Sequence, residues 1–317
     1  MATYCISGIF RHRQSTFVHS LFCSLSPSIP YAISVHWPRI TIVTPSFNQG
    51  RFLEETIRSV LEQNYPNLEY IIIDGGSTDD SVDIIKRYED RLAYWVSEKD
   101  GGQSDAINKG FMRASGTIFG YLNSDDLYLP GALLAVAKAF EQYTPDVVFG
   151  NTYWVDTNGA RLGERRQTPF VPIGYLYGGF DLQQPATFWS RRLYEESEGI
   201  DASYSFAFDT ELFTRFVRKG ARFRHVKTFL ASFRIHSESK SSTQLEQCAA
   251  ELQRLRRTHL FFPFNSFQAS GIRNYARVRR TLWYLLQGDL IWLLGRIPDR
   301  FRSRNSKEIV GPRARGI

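Results

Sequence analysis

One apolar run that ends in two acidic residues constrains the fold of this chain more than any other feature. Residues 118–122 are apolar and β-prone, and Asn123-Ser124-Asp125-Asp126 follows them directly. A short apolar run bounded by polar turn residues is typical of a buried β-strand. The two carboxylates then lie just past the carboxyl end of the strand, which is where open α/β sheets bind ligands. The sequence therefore predicts a ligand site at one edge of a sheet.

Two adjacent carboxylates on a tight loop repel each other and call for a neutralising partner. A divalent cation, which prefers oxygen ligands, is the simplest such partner. The alternative is that Asp125 and Asp126 form a turn and cap the next helix, which aspartate also does well. These residues alone do not separate the two interpretations, so the rest of the chain has to decide.

Strand-like and helix-like segments alternate along the first half of the chain. The predicted strands are residues 39–46, 69–74, 92–96, 118–122 and 146–150. The predicted helices are residues 52–61, 82–88, 105–113 and 133–140, and the polar residues expected to cap the second of them are Ser77, Thr78, Asp79 and Asp80. This alternation predicts an α/β fold with a mostly parallel sheet flanked by helices.

The loops with unusual polar chemistry all follow predicted strands, so a parallel sheet gathers them at one edge. These loops are residues 44–46, 74–76, 98–104 and 123–126. No G-x-G-x-x-G follows the first strand, and the sequence has no Walker lysine loop. Dinucleotide and P-loop sites therefore lack their phosphate-binding segment.

The second half of the chain predicts a hairpin, a helix and a last strand. The hairpin turns at Asn158-Gly159, a dipeptide typical of such turns. A helix over residues 212–219 follows Phe208-Asp209-Thr210-Glu211, and Gly220 is expected to close it. Residues 229–236 are strand-like, and the pattern beyond residue 237 is helical and basic.

Charge is distributed unevenly along the 317 residues. Residues 1–212 carry 17 Lys or Arg and 26 Asp or Glu, a net charge of −9, whereas residues 213–317 carry 22 and 6, a net charge of +16. An acidic body argues against nucleic acid as a partner. A basic tail suits phosphates or an anionic membrane. Three widely spaced cysteines show no metal or disulfide pattern, which suits the reducing environment of the cytoplasm.

Residues 1–38 are expected to form a poorly ordered leader. Its apolar part, residues 17–23, is short and interrupted by His19 and Ser20. A signal peptide or an anchor is the alternative interpretation of this segment. Nowhere does the sequence present an apolar stretch long and clean enough to span a bilayer.

Four motifs, taken together and in order, resemble those of family 2 glycosyltransferases, which have the GT-A fold. They lie at residues 42–48, 73–79, 103–110 and 122–126. The resemblance covers residues 39–242 and implies a Rossmann-like, mostly parallel sheet that binds a nucleotide-diphosphate sugar. It implies a nucleotide-sugar half, residues 39–126, and an acceptor half, residues 127–242. Residues 243–317 lie beyond the resemblance, and their pattern predicts a basic helical extension.

The resemblance also implies which residues contact the sugar-nucleotide donor. Asp74 is expected at the base edge, and the other implied donor contacts are Thr44, Pro45, Ser46, Asp105, Lys109 and Asn123. A carboxylate at a strand end can accept a base N–H, and the glycines after Asp74 let a ligand approach the backbone. The alternatives are that Asp74 caps its own loop and that Asp105 and Lys109 form a solvated helix N-terminus.

Asn123-Ser124-Asp125 occupies the position of the family's D-x-D motif, with an amide in place of the first acid. The resemblance then implies that Asp125 binds a divalent cation, Mn²⁺ or Mg²⁺, and that Asn123 hydrogen-bonds hydroxyls of the donor. His236 resembles a late histidine that reaches the metal or the leaving diphosphate. A histidine near a strand end can also be purely structural.

Asp209 stands at the position of the family's catalytic base, with Phe208 in place of the preceding acid. One carboxylate that takes the proton from the acceptor hydroxyl implies a single displacement and inversion at the sugar. The alternative is that Asp209 caps the helix that follows it. Gln183, Gln184, Phe188 and Trp189 are candidates for the acceptor side, although tryptophan is as often a core residue.

The sequence thus predicts a metal-dependent, inverting glycosyltransferase that acts on a saccharide or lipid-linked acceptor in cell-envelope polysaccharide, lipopolysaccharide or glycolipid synthesis. One alternative is a sugar-nucleotide pyrophosphorylase, for which residues 44–50 lack the expected basic loop, since their sequence is Thr-Pro-Ser-Phe-Asn-Gln-Gly. Another is a non-catalytic sugar- or nucleotide-binding module.

The basic tail carries a second prediction. Residues 281–297 form one apolar helical pattern, and arginines flank it within residues 273–307. An amphipathic helix of this kind can lie on an anionic membrane surface. The alternative is that it packs on the catalytic domain.

Overall fold

The computed structural model describes residues 37–237 and 245–288. Residues 1–36 of the predicted leader, and residues 289–307 of the predicted membrane-contact segment, lie outside the described residues. From Trp37 onward the described chain belongs to one compact unit.

The described residues form nine strands and nine α-helices. The strands are β1 (Ile40–Ser46), β2 (Leu68–Asp74), β3 (Tyr94–Ser97), β4 (Ile118–Tyr121), β5 (Leu127–Tyr128), β6 (Val147–Val155), β7 (Arg161–Arg165), β8 (Thr187–Ser190) and β9 (Phe223–Arg234). The helices are α1 (Gly50–Leu61), α2 (Ser81–Lys86), α3 (Gln103–Arg113), α4 (Ala132–Tyr143), α5 (Pro172–Leu176), α6 (Arg191–Glu196), α7 (Phe208–Arg218), α8 (Leu245–His259) and α9 (Phe267–Leu286). Two short 3₁₀ turns cover Glu89–Arg91 and Gln184–Ala186.

The strands build one sheet in the order β3-β2-β1-β4-β8-β6-β9-β5, with β7 paired to β6. The first four strands are parallel to one another, as the alternation of strands and helices predicts. The sheet then becomes mixed, because β8 runs antiparallel between β4 and β6 while β9 is parallel to β6. The predicted α/β fold is confirmed. The part of the sheet in which all strands are parallel consists of β1 to β4, from the first half of the chain.

Two hydrophobic cores cover the two faces of the sheet. Alternating residues of the central strands point to opposite faces, as in any strand. Ile42 and Ile72 pack with α1 and α4 on one face, whereas Val43 and Ile73 pack with α3 and α7 on the other. Phe188 belongs to the first core and Trp189 to the second, and both are fully buried. The idea that these two rings line the acceptor side is therefore wrong.

Several predicted elements have different limits in the structure. The hairpin of β6 and β7 turns at Gly159, which has φ +81° as the predicted turn requires. β9 is longer than the predicted 229–236 segment. Of the helix predicted over residues 281–297, residues 281–286 form the last part of α9, which ends at Leu286 with Gly288 in the left-handed region at φ +78°, and residues 289–297 lie outside the described residues.

Candidate active site

The carboxyl ends of the parallel strands meet at one edge of the sheet. Ser46, the last residue of β1, pairs with Asp74, which in turn pairs with Ser97 at the end of β3. β4 ends at the same level, because the N–H of Leu122 donates to the carbonyl of Val43 at 3.0 Å. The four polar loops therefore leave the sheet side by side, as predicted.

The loops after β1 and β2 are tied together by their own polar groups. The Ser77 hydroxyl accepts the N–H of Asn48 at 2.8 Å, and the Asn48 side-chain oxygen accepts the N–H of Thr78 at 2.8 Å. Asp79 accepts the N–H of Gly50, the first residue of α1, at 2.8 Å and that of Ser81 at 3.0 Å. Of the residues predicted to cap α2, Asp79 binds the first N–H of the helix, whereas Ser77 and Thr78 bond to Asn48 of the neighbouring loop. Asp80 occupies the N-cap position without a side-chain cap hydrogen bond.

Asp74 is fully buried and its carboxylate is engaged within its own loop. It accepts the N–H groups of Gly76 and Ser77 at 3.2 and 2.8 Å, and the hydroxyls of Ser77 and Ser97, each at 2.6 Å. The loop-capping alternative therefore describes the contacts in the structure. The contact with a base edge stays a prediction.

The end of β1 carries one buried hydroxyl that makes no hydrogen bond with any described residue. Thr44 is fully buried, and its hydroxyl is already bonded to that of Tyr70 at 3.0 Å. The hydroxyl of Ser46 is also buried, but it makes no hydrogen bond with any described residue. Pro45 is buried between them. Phe47 follows directly, and 59% of its surface is exposed at this edge. Sequence reasoning gave Phe47 no role, although an exposed aromatic ring beside a polar strand end is a recognisable signal.

Asp105 and Lys109 lie on the first turns of α3. The Lys109 ammonium is 3.4 Å from carboxylate oxygens of both Asp105 and Glu98. Asp105 also accepts the N–H of Gly101 at 2.9 Å, which orders the loop between β3 and α3. The two residues are brought together at the predicted edge, and their contacts also fit the alternative of a solvated helix start.

Asn123 joins the loops after β3 and β4. Its side-chain oxygen accepts from the amide of Gln103 at 2.6 Å, and its nitrogen donates to Asp126 at 3.2 Å. Gln184 lies 3.5 Å from the same nitrogen and donates to the carbonyl of Tyr121 at 2.7 Å. Neither glutamine was expected to contact Asn123 from the sequence.

The two adjacent acids separate instead of facing one cation together. Asp126 turns inward, is buried, and accepts the backbone N–H of Arg234 at 3.0 Å. Burial and the neighbouring Asp125 raise the pKa of Asp126 well above its ordinary value. Asp125 turns toward His236, whose Nε2 lies 2.9 Å from Oδ2 of the carboxylate. The first interpretation thus survives for Asp125, whereas Asp126 is a buried turn residue that does not cap α4, since that helix begins after Gly131.

Arg234 fixes the strand end that carries His236. Its guanidinium is buried and donates to the carbonyls of Asp125 and Thr157, each at 2.9 Å, and to Glu55 of α1 at 2.5 Å. It also lies over the ring of Phe52, 4.8 Å from the centroid. Sequence reasoning missed Arg234, although a cation at an inward-facing position near a strand end indicates a buried partner.

Asp209 is the second residue of α7 and is largely buried. Ala207 is the N-cap residue, so the alternative in which Asp209 caps the helix is wrong. Its carboxylate accepts the N–H and the hydroxyl of Thr210 at 2.6 and 3.1 Å. The ring of Phe208 lies 6.1 Å from that of Tyr121 at the end of β4, which anchors the start of α7 at this edge of the sheet.

The donor set at Asp125 and His236 fits a divalent cation that shares its coordination with a ligand. Metal–ligand distances near ~2.1 Å place adjacent octahedral ligands about 3 Å apart, and the Asp125 oxygen and His236 nitrogen are 2.9 Å apart. No group of three or more metal-binding side chains occurs in the described part of the chain. Two protein ligands are nevertheless sufficient for a cation that is completed by substrate phosphates and water.

The geometry of this edge agrees with the comparison to known families. Residues 41–206 match the family model described as glycosyl transferase family 2, which is more than half of the chain. The chain belongs to this family. It is therefore a glycosyltransferase. Membership in this family excludes the two alternatives, a sugar-nucleotide pyrophosphorylase and a non-catalytic binding module.

Two relatives illustrate the similarity of this family 2 chain. An uncharacterised glycosyltransferase of Mycobacterium tuberculosis is 33% identical over 181 residues, which cover 56% of this chain and 68% of the relative. The putative teichuronic acid biosynthesis glycosyltransferase TuaG of Bacillus subtilis is 39% identical over 92 residues, which cover 28% of this chain and 36% of TuaG.

Two solved structures share the fold. One is residues 1–349 of Staphylococcus aureus TarS in complex with UDP-GlcNAc, with a TM-score of 0.58, 16% identity, and coverage of 74% of this chain and 70% of that one. The other is the mannosyltransferase PcManGT of Pyrobaculum calidifontis in complex with GDP-Man and Mn²⁺, with a TM-score of 0.55, 17% identity, and coverage of 85% and 84%. Against a longer TarS chain the match spans 39% of TarS. The GT-A fold is thereby established.

Proposed function

We propose that this glycosyltransferase moves a sugar from a nucleotide-diphosphate sugar to an acceptor hydroxyl, with inversion at the anomeric carbon. One observation carries the proposal: Asp125 and His236 hold a carboxylate and an imidazole 2.9 Å apart where the parallel strands end. A diphosphate needs a positive charge at that place, and these side chains are suited to hold one.

The loops after β1 and β2 would hold the nucleoside. The unsatisfied hydroxyl of Ser46 supports a hydrogen bond to the donor, since a buried polar group without a partner is unfavourable. The exposed ring of Phe47 is suited to stack on the base. Asp105, Lys109 and Asn123 lie on the adjoining loops and would contact the sugar or its phosphates.

Asp125 and His236 would hold Mn²⁺ or Mg²⁺ together with oxygens of the diphosphate. The cation, when bound, supplies positive charge to the leaving diphosphate. Asn123, kept in place by Gln103, presents an uncharged amide beside that centre. The protein thus offers one charged and one neutral side chain where the family's motif has two acids.

Asp209 would act as the general base. It takes the proton of the acceptor hydroxyl while the acceptor oxygen bonds to the anomeric carbon and the bond from that carbon to the diphosphate oxygen breaks. A single displacement of this kind inverts the anomeric configuration. The position of Asp209 in the first turn of a helix anchored at the end of β4 supports this role.

The names of similar proteins suggest the substrates. TuaG is named for teichuronic acid biosynthesis, and the TarS and PcManGT structures contain UDP-GlcNAc and GDP-Man. We infer a UDP- or GDP-linked sugar as donor and a saccharide or lipid-linked acceptor in cell-envelope polysaccharide, lipopolysaccharide or glycolipid synthesis, at the cytoplasmic side of the membrane.

A peripheral membrane contact through α9 belongs to the same proposal. α9 has no acidic residue and contains Arg273, Arg277, Arg279 and Arg280. Its exposed apolar side chains follow helical spacing along one side, and they are Phe267, Tyr275, Val278, Leu282, Leu285 and Leu286. An apolar stripe beside arginines suits an anionic lipid surface. None of the helices that the structure describes is long and apolar enough to cross a membrane.

The test is a screen of the purified protein against UDP-GlcNAc, UDP-glucose, UDP-galactose and GDP-mannose, with Mn²⁺, Mg²⁺ or EDTA, scoring released nucleoside diphosphate. We expect release from one donor class, with metal, and faster release when an oligosaccharide or polyprenyl-phosphate sugar acceptor is added. Anomeric configuration of the product is read by NMR. A product with the donor's own configuration, or full activity in EDTA, would contradict the proposal.

A further inference from the structure

Within the helix that carries Asp209, the Asp209 carboxylate accepts the N–H of Thr210 at 2.6 Å, but the N-cap residue supplies no side-chain cap. The first N–H groups of an α-helix have no partner inside the helix and need one from elsewhere. The N-cap residue of α7 is Ala207, which has no side chain that could accept a hydrogen bond. The N–H groups of Ala207 and of the two residues before it, Ser205 and Phe206, take their partner from another element.

That partner is Glu251 of α8, in the basic extension. One carboxylate oxygen accepts the N–H of Ser205 at 3.0 Å, and the other accepts those of Phe206 and Ala207, each at 2.8 Å. Three backbone donors on one ionised carboxylate form a strong set, because charge-assisted hydrogen bonds are roughly twice as strong as neutral ones. The last of these donors belongs to the residue two positions before Asp209.

Further contacts keep α8 against α7. Arg254, one turn after Glu251, donates to the hydroxyl of Ser203 at 2.9 Å and lies over the ring of Tyr204. At the other end of α8, His259 Nε2 lies 3.3 Å from Glu211 in the first turn of α7. Between these ends Leu255 is buried in the same core as α7. The extension is thus fixed to both sides of the turn that contains Asp209.

We propose that Glu251 is a positioning residue for the base. It holds residues 205–207 so that the Asp209 carboxylate has a fixed place relative to the acceptor. The donor side of the site is built from the loops after β1 to β4 and does not depend on this contact. This inference rests on the proposed role of Asp209, and it assigns a function to the basic extension in which the family resemblance gives none.

The inference predicts a loss of turnover without a loss of donor binding. Glu251→Ala should lower kcat for hydrolysis of the active donor by about 10- to 100-fold, the scale associated with a small misplacement of a reacting group. The KM for the donor and the Kd for UDP and GDP, measured by calorimetry, should stay within twofold. Glu251→Gln should recover part of the loss, since its amide oxygen still accepts two N–H groups. The matched control is Glu246→Ala, at an exposed glutamate in the first turn of the same helix, and it should behave as the wild type.

A double-mutant cycle with Asp209→Asn separates positioning from general destabilisation. If Glu251 acts through Asp209, adding Glu251→Ala to Asp209→Asn should change kcat by less than about twofold. The inference would be overturned if Glu251→Ala lowered kcat by the same factor in the wild type and in Asp209→Asn. It would also be overturned if Glu251→Ala alone left kcat unchanged. Asp209→Asn measured alone shows whether the base assignment itself holds, so the two failures are distinguishable. Amide hydrogen exchange of residues 203–212 should rise in Glu251→Ala and not in the control.

Discussion

Asn123 shows how one side chain limits the charge at this site. Its amide accepts from Gln103 and donates to Asp126 at the same time. A carboxylate at position 123 could accept but could not donate, and it would add a negative charge beside a buried acid whose pKa is already raised by burial and by Asp125. The replacement of the first acid of the motif by an amide therefore has a physical explanation in its neighbours.

Asp125 is the first residue to test. We expect Asp125→Ala to lower turnover by about 10²- to 10³-fold, as for other losses of charge stabilisation at a reacting centre. It should also weaken Mn²⁺ binding in the presence of UDP, which electron paramagnetic resonance measures without any turnover. Asp83→Ala, on the surface of α2, is the control. If Asp125→Ala binds Mn²⁺ as tightly as the wild type does, Asp125 is not a ligand of the metal.

Asp209→Asn tests the base. The asparagine keeps the size of the side chain and its ability to accept from Thr210, but it cannot take a proton. Turnover should fall by about 10²- to 10⁴-fold, the range typical of general acid–base groups, while UDP and GDP affinity and the urea midpoint of unfolding stay at wild-type values. A matching loss of stability and nucleotide binding would instead make Asp209 a structural residue.

At the scale of elements, Arg234 connects β9 to three other parts of the fold. Arg234→Met should lower the unfolding free energy by about 2–3 kcal/mol, because it removes a buried cation and leaves the carbonyls of Asp125 and Thr157 without their donor. Urea denaturation measures this loss. The matched control is Arg58→Met, whose ion pair with Glu62 at 3.0 Å is solvent-exposed and should contribute little to stability. If both substitutions lower the free energy of unfolding by the same amount, the buried contacts of Arg234 do not contribute more to stability than an exposed ion pair does.

The predicted elements were mostly confirmed, because long periodic segments carry their own signal. β1, β2 and α1 follow from apolar spacing alone, and so does the edge at which their loops meet. The contacts across the site could not be predicted in this way. Asp125 and His236 are 111 positions apart, and only the family resemblance suggested that they meet. Phe188 and Trp189 are adjacent residues of one strand, so their side chains enter opposite cores, which a fully apolar dipeptide does not reveal.

At the scale of the whole molecule, the burial of His225 should make the stability of the fold depend on pH. Burial, followed by the nearby charges of Lys227 and Arg224, lowers its pKa to about 4. The unfolded chain, with an ordinary histidine pKa of about 6.5, takes up a proton between pH 6.5 and 4 that the native protein does not bind. The contribution of His225 to the free energy of unfolding should therefore fall by about 2 kcal/mol between pH 7 and pH 5.

His225→Gln should remove that part of the pH dependence. The measurement is urea unfolding of both proteins at pH 7 and pH 5, with the difference between them isolating His225 from buried acids such as Asp126, whose raised pKa acts in the opposite direction. Parallel pH profiles of the two proteins would contradict the assignment.

The membrane contact is also a property of the whole molecule. Wild-type protein should sediment with phosphatidylglycerol vesicles at low salt and stay in the supernatant with phosphatidylcholine vesicles. Val278→Asp combined with Leu282→Asp should abolish sedimentation, because it places charge in the exposed stripe of α9. Met112→Asp, at an exposed apolar residue of α3, is the control. If wild type remains in the supernatant with anionic vesicles, α9 has no membrane role.

The contact between Glu251 and residues 205–207 also bears on how such enzymes can be recombined. The match to the family model ends at residue 206, inside the segment that Glu251 holds. A hybrid enzyme joined at that point would take this segment from one parent and the helix that contacts it from the other. Exchange of acceptor specificity between relatives should therefore succeed when residues 203–259 are inherited as one block, even though the two helices of that block are separated by a long strand.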